Sequence, residues 1–137
     1  MQCVLDASVV IKFLVEEAGS AQALALLDRA EKRIAPDWIS VEVAAALWNK
    51  VKYSKLLAVH AERSLQDFPR FLHRLLPCQP LLADSFQLAI RLQHPVYDCL
   101  YLALAMNESA RLVTADKKFH ARVVEANLEQ HVELLTW

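Results

Sequence analysis

Leu112-Val113-Thr114-Ala115-Asp116-Lys117-Lys118-Phe119 is an apolar, β-branched run that closes on an acid and gives way to charge. Arg111 to Thr114 reads as a strand and Lys117 to Glu125 as a helix. The chain opens in the same order. Gln2 to Asp6 is a short apolar run suited to a buried strand, and Ser8 then caps a helix through Val9, Val10, Phe13 and Leu14. Short strands that alternate with helices in this way describe a parallel sheet of the α/β class.

The segments between these two units continue the alternation. Gly19-Ser20 interrupts the first helical pattern, after which Ala23, Leu24, Leu26 and Leu27 recur at helical spacing up to the charged Arg29 to Arg33. Ile34-Ala35 is a second strand. Pro36-Asp37 starts a helix that carries Ile39, Val43, Ala46 and Leu47 on one face, with Lys50 and Lys52 near a C-terminus where the helix dipole favours cations. Leu56 to about Leu72 is again helical. Leu75 to Leu82 holds Pro77 and Pro80, which confine any strand there to a sheet edge. Asp84 to Leu92 is helical, Gln93-His94-Pro95 is a turn, and Val96 to Met106 is a helix apolar on all sides, which places it centrally. Val132 to Leu135 is a last strand.

The chain has 137 residues, 55% of them hydrophobic, enough for one domain spanning 1–137 with a substantial core. No apolar stretch reaches the roughly 18 residues of a membrane span, and no secretion signal is visible, so no membrane contact is expected. Cys3, Cys78 and Cys99 are an odd number without paired ligand spacing and have apolar neighbours, which fits a reducing cytoplasm. The net charge is −1, so a nucleic-acid partner has to be held by a local basic patch. Gly19 is the only glycine, and this excludes the glycine-rich nucleotide loops. The five histidines lack ligand spacing and are expected at the surface or at an interface rather than in a zinc site.

Four acids stand where apolar segments would rather not have them. Asp6 closes Val4-Leu5-Asp6, Glu42 lies inside Val41 to Ala46, Asp98 opens Asp98 to Ala105, and Asp116 closes Leu112 to Asp116. An uncompensated buried carboxylate costs several kcal/mol, so a positive partner is expected, most simply a divalent metal. In open parallel sheets functional groups gather beyond the carboxyl ends of the strands, where Asp6 and Asp116 fall. A hard ion with oxygen ligands, Mg²⁺ or Mn²⁺, suits carboxylates, waters and a substrate phosphate. Asp6 and Asp98 are assigned to the principal ion, with Asp116 completing the shell directly or through water. Glu42 either joins a second ion or orients the attacking water. Taken singly, each acid has a plainer account: Asp116 and Asp98 as helix caps, Asp6 as a turn residue, Glu42 on a solvent face.

These segments together resemble a known family. Val4-Leu5-Asp6-Ala7-Ser8-Val9, Val41-Glu42-Val43, Val96-Tyr97-Asp98-Cys99-Leu100-Tyr101-Leu102-Ala103-Leu104-Ala105 and Leu112 to Phe119 look like the PIN-domain ribonucleases, especially the VapC toxins, in family order and spacing over nearly the whole chain. The resemblance implies a three-layer α/β/α fold with a central five-stranded parallel sheet. It also implies a metal-dependent endoribonuclease acting on RNA and inhibited by a cognate antitoxin, with a homodimer as a further expectation. Carried over by motif, Asp6, Glu42, Asp98 and Asp116 are the acids of the site, and Ser8 and Thr114 are polar supports. Two departures stand out: Cys99 replaces a small residue, and His94-Pro95 replaces a glycine-containing approach to Tyr97-Asp98.

Cations that follow acid-bearing turns, Lys12, Lys117 and Lys118, are the candidate RNA contacts. Trp38, Trp48, Tyr53, Phe68 and Phe71 concentrate in the middle helices, where an exposed part would suit a second copy or an antitoxin. Two other functions compete. One is a metal-dependent phosphatase or phosphoryl-transfer domain, although Asp6-Ala7-Ser8 lacks the second acid of its motif; the other is a non-catalytic PIN-like binding module.

Overall fold

β-Branched and leucine side chains drive the sheet. The computed structural model describes residues 1–137, and its core strand β1 (Gln2–Leu5) buries Cys3, Val4 and Leu5 completely or nearly so. It pairs in parallel with β2 (Lys32–Pro36) on one side and β4 (Arg111–Thr114) on the other. The edges are β3 (Arg74–Leu76), parallel to β2, and β5 (Val132–Leu134), parallel to β4, giving the order β3-β2-β1-β4-β5. Near-continuous apolar runs such as Leu112-Val113 are what a strand covered on both faces requires.

Seven helices cover that sheet: α1 (Ala7–Leu14), α2 (Ser20–Ala25), α3 (Ile39–Tyr53), α4 (Ala58–Asp67), α5 (Leu82–Leu92), α6 (Val96–Asn107) and α7 (Lys117–Glu125). Helices α1 to α4 connect β1, β2 and β3 and pack on one another, while α5 to α7 serve the return to β4 and β5 and pack together on the opposite face, as right-handed crossovers demand. Helix α6 lies against β1, β2 and β4, and its residues Cys99 to Ala105 are all buried, as its unbroken apolarity predicts.

Strand progression reverses between β1 and β4, which makes their carboxyl ends the switch point of the sheet. Asp6 follows β1 directly, and Asp116 follows β4 after Ala115. No helix is long and apolar enough to cross a membrane.

Several local readings shift. Ser8 does not cap α1; Asp6 does, accepting from the Val9 N–H, because the helix begins two residues earlier than a Ser8 cap requires, at Ala7. The proline-flanked strand is indeed at the edge but lasts only three residues, Arg74 to Leu76, before Pro77, after which Gln79–Leu81 turns as a 3₁₀ segment. The helix foreseen from Leu56 to about Leu72 divides into α4 and a 3₁₀ turn at Phe68–Phe71, where Pro69 lacks the N–H that a continuing helix needs.

Gly19 precedes α2 with φ 88°, in the left-handed region, and a Cβ there would stand 2.6 Å from the Trp137 ring. The indole is half-exposed and can swing aside, so the backbone conformation sets the cost. Gly19→Ala is expected to lower the free energy of unfolding by roughly 1–2 kcal/mol, read by urea denaturation against the unmodified protein.

Candidate metal centre at the β1–β4 switch point

Each acid is positioned by a different element. Asp6 ends β1 and caps α1; its Oδ1 accepts from the Ser8 hydroxyl and, at 3.3 Å, from the Val9 N–H. Ser8 also accepts the Ala115 N–H at 3.0 Å, so one hydroxyl ties the end of β1 to the end of β4. The Thr114 hydroxyl, fully buried, lies beside the Asp6 carboxyl and accepts the Asp116 N–H at 3.1 Å. Asp116 caps α7 through Oδ1, which accepts the Phe119 N–H at 3.1 Å. It is therefore a cap and a site acid at once, since a cap uses one carboxylate oxygen and leaves the other.

Glu42 sits in the first turn of α3, and its Oε1 accepts from the buried Tyr101 hydroxyl of α6. Asp98, in the first turn of α6, meets His94 through Oδ2, 2.6 Å from Nε2. In Glu42, Asp98 and Asp116 alike the hydrogen bonds fall on a single oxygen, and the second faces no protein donor.

The electrostatics bind these groups into one cluster. Burial pushes the Asp6 carboxyl up to about 7, against the opposing pull of the Ser8 and Thr114 hydroxyls, and the charge of Asp98 adds to the rise. Burial also raises Glu42, opposed by the Tyr101 hydrogen bond and reinforced by Asp98. Asp98 is raised by burial too, against the His94 contact, with Asp116 as its like-charged neighbour. The Tyr101 phenol is held far above its ordinary value by burial and by Glu42. Three carboxylates that resist ionisation, Asp6, Glu42 and Asp98, with Asp116 as the like-charged neighbour of Asp98, form a donor set for a hard divalent cation, because an ion of charge +2 removes both the repulsion and the desolvation cost.

Donor atoms of His94, Asp98 and Asp116 lie within 4.8 Å of one another, close enough to share one ion. Of the three acids assigned to the metal, this trio contains Asp98 and Asp116; Asp6 adjoins it through Asp98. His94 corrects the expectation that the histidines are surface or interface residues, since its side chain is only 7% exposed. A signal existed in its four-residue offset from Asp98, but Pro95 between them separates the turn from the helix and hides the shared face.

Lys12 is a second correction. Its ammonium is buried, donates to Glu17 at 3.2 Å and to the Ala18 carbonyl at 2.6 Å, and lies over the Trp137 ring at 4.5 Å. It holds the α1–α2 turn and is not offered to a polyanion. Lys117 and Lys118 are exposed beside Asp116. Lys50, near the C-terminus of α3, is likewise occupied by Glu17.

The family model described as PIN domain matches residues 3–124. The chain belongs to the PIN domain family. Ribonuclease VapC3 of Pyrobaculum aerophilum is 31% identical to this PIN domain over 120 residues, covering 86% of the chain and 92% of the relative. Among solved structures, PAE2754 from Pyrobaculum aerophilum superposes with a TM-score of 0.71 at 21% identity, over 89% of this chain and 79% of that one. A toxin–antitoxin complex from Klebsiella pneumoniae gives 0.63 at 18% identity, over 86% and 90%. The PIN domain here is thus of the VapC kind, with the three-layer fold around a five-stranded parallel sheet.

Proposed function

We propose that this PIN domain is a metal-dependent endoribonuclease, the toxin of a toxin–antitoxin pair, working with Mg²⁺ or Mn²⁺. The observation that carries the proposal is the meeting of Asp6, Glu42, Asp98 and Asp116 at the β1–β4 switch point, with second oxygens left free of protein donors on three of them. The ribonuclease relative supports RNA as the substrate over a phosphomonoester. A complete set of acids argues against a merely binding module.

Asp6, Asp98 and Asp116 hold the cation. Bound there, a divalent ion supplies neutralisation of phosphate charge and a lowered pKa for a water. Ser8 and Thr114 fix the Asp6 carboxylate and so set the distance between the two strand ends. Tyr101 holds Glu42 by Oε1, leaving Oε2 to orient the attacking water and accept its proton; burial, by raising Glu42, makes it the stronger base. Lys117 and Lys118 meet backbone phosphates beside the site.

For the antitoxin, the groove between α3 and α4 offers Leu47, Trp48, Val51 and Leu65 over about 230 Å³, a shape for the apolar face of a helix. A second copy of the chain would find the exposed stripe Leu82, Phe86 and Ile90 on α5, spaced by single helical turns. Free Cys3, Cys78 and Cys99 fit a reducing cytoplasm.

The test is incubation of the purified protein with a structured RNA and Mn²⁺ or Mg²⁺, beside an EDTA control and a phosphomonoester. Discrete RNA fragments that EDTA abolishes are expected. Release of phosphate from the monoester with intact RNA would instead establish the phosphatase.

A further inference from the structure

His94 brings a nitrogen into a site otherwise built of oxygens. Its Nε2 lies 2.6 Å from Asp98 Oδ2, and one donor atom each from His94, Asp98 and Asp116 falls within 4.8 Å of the others. The backbone fixes where the ring starts. Gln93 ends α5 in the left-handed conformation at φ 51°, the His94 N–H returns to the Ala89 carbonyl at 3.1 Å, and Pro95 then begins α6. The ring itself rests on Phe119, centroids 4.7 Å apart, and Phe119 is fully buried. Phe119 is also the residue whose N–H Asp116 caps, so the turn that supplies the Asp116 carboxylate also walls in the imidazole.

We propose that His94, through Nε2, is a ligand of the cation that Asp98 and Asp116 hold, and that this nitrogen tilts the site toward Mn²⁺ and away from Mg²⁺. The proposal rests on the metal-dependent reading above and adds to it a residue and a metal preference. Adjacent ligands of one octahedral ion stand about 3 Å apart, so the 2.6 Å spacing of Nε2 and Oδ2 has to open by only a few tenths of an ångström. A histidine that served only to pair with Asp98 would have no need of a second carboxylate in reach, whereas a ligand would. Mg²⁺ keeps its waters and favours oxygen; first-row divalent ions accept imidazole far better.

The test is electron spin-echo spectroscopy of Mn²⁺ bound to the full chain, grown with and without ¹⁵N-histidine, together with calorimetric titration of Mn²⁺ and Mg²⁺ into the protein and into His94→Gln. A histidine-nitrogen coupling is expected on the unmodified protein, which makes this readout independent of how the variant folds. Mn²⁺ is expected to bind at least about tenfold tighter than Mg²⁺, a margin that His94→Gln largely erases. Tight Mn²⁺ binding and RNA cleavage without any histidine coupling, or equal weakening of both ions in His94→Gln, would overturn the proposal and leave the ribonuclease standing with His94 as a partner of Asp98 alone. No cation bound by the unmodified protein would overturn both.

Discussion

Asp98→Asn is expected to lower metal-dependent RNA cleavage by more than about a hundredfold while the fold persists. Asp98 is the hub of the cluster: its charge is felt by Asp6 and by Glu42, it feels Asp116, and it holds His94 at 2.6 Å. Asparagine keeps the size and one acceptor oxygen but removes the charge at the point where three other acids need a cation between them. Loss of groups that merely orient metal ligands typically costs 10–100-fold, so loss of a ligand carboxylate stands at or beyond the top of that range. The measurement is kcat/KM on a cleaved RNA across a Mn²⁺ titration, with thermal melting as the control for folding. Cleavage within a few fold of the unmodified protein at every metal concentration would remove Asp98 from the metal centre.

Without divalent metal, the protein is expected to be most stable in mild acid and to lose stability as the pH rises from about 4 to about 7. The sign follows from Asp6. Its carboxyl is lifted from 3.8 to about 7 by burial, so the folded chain holds this proton more tightly than the unfolded chain does. Stability tied to that proton is complete below the ordinary carboxylate value and is gone once the pH passes the folded value. Glu42 and Asp98 are raised too, burial leading in both, and add to the same trend. Asp6→Asn, which retains an acceptor for the Ser8 and Val9 donors, is expected to flatten the curve and to exceed the unmodified protein at pH 8 in EDTA by up to on the order of 4 kcal/mol. Saturating Mn²⁺ should reverse the order, because only the unmodified site binds the ion fully. Urea denaturation at pH 4.5, 6 and 8, with and without metal, reads this out; a stability that climbs steadily from pH 4.5 to 8 in EDTA would contradict it.

Much of the architecture is legible along the chain because it rests on local repetition. Val4-Leu5, Ile34-Ala35 and Leu112-Val113 are too short and too apolar to be anything but covered strands, and the bounds of α7 follow from its sequence residue for residue. The α6 run is apolar on every side and is buried on every side. Asp6, Glu42, Asp98 and Asp116 stand out for a related reason: a carboxylate beside covered apolar residues is expensive, and the expense marks it. Where the local signal is divided, the outcome depends on neighbours far away. Ser8 and Asp6 are both good caps, and Asp6 takes the role while Ser8 reaches across to Ala115. Lys12 looks like any cation after an acid-bearing turn until Glu17 and Trp137 close over it.

By itself, then, the sequence determined the alternation of strand and helix, the parallel sheet, and the four acids at its edge, since apolar period and the cost of a buried charge act within a few residues. Only the tertiary structure decided which side chains meet those acids. Tyr101 reaches Glu42 across 59 positions, Ser8 reaches Ala115 across 107, and His94 is turned onto Asp98 by the left-handed Gln93, Pro95 and the wall of Phe119. Such pairings depend on strand order and on the hand of the crossovers, and a hydrogen bond between residues a hundred positions apart leaves no period in the chain from which to read it.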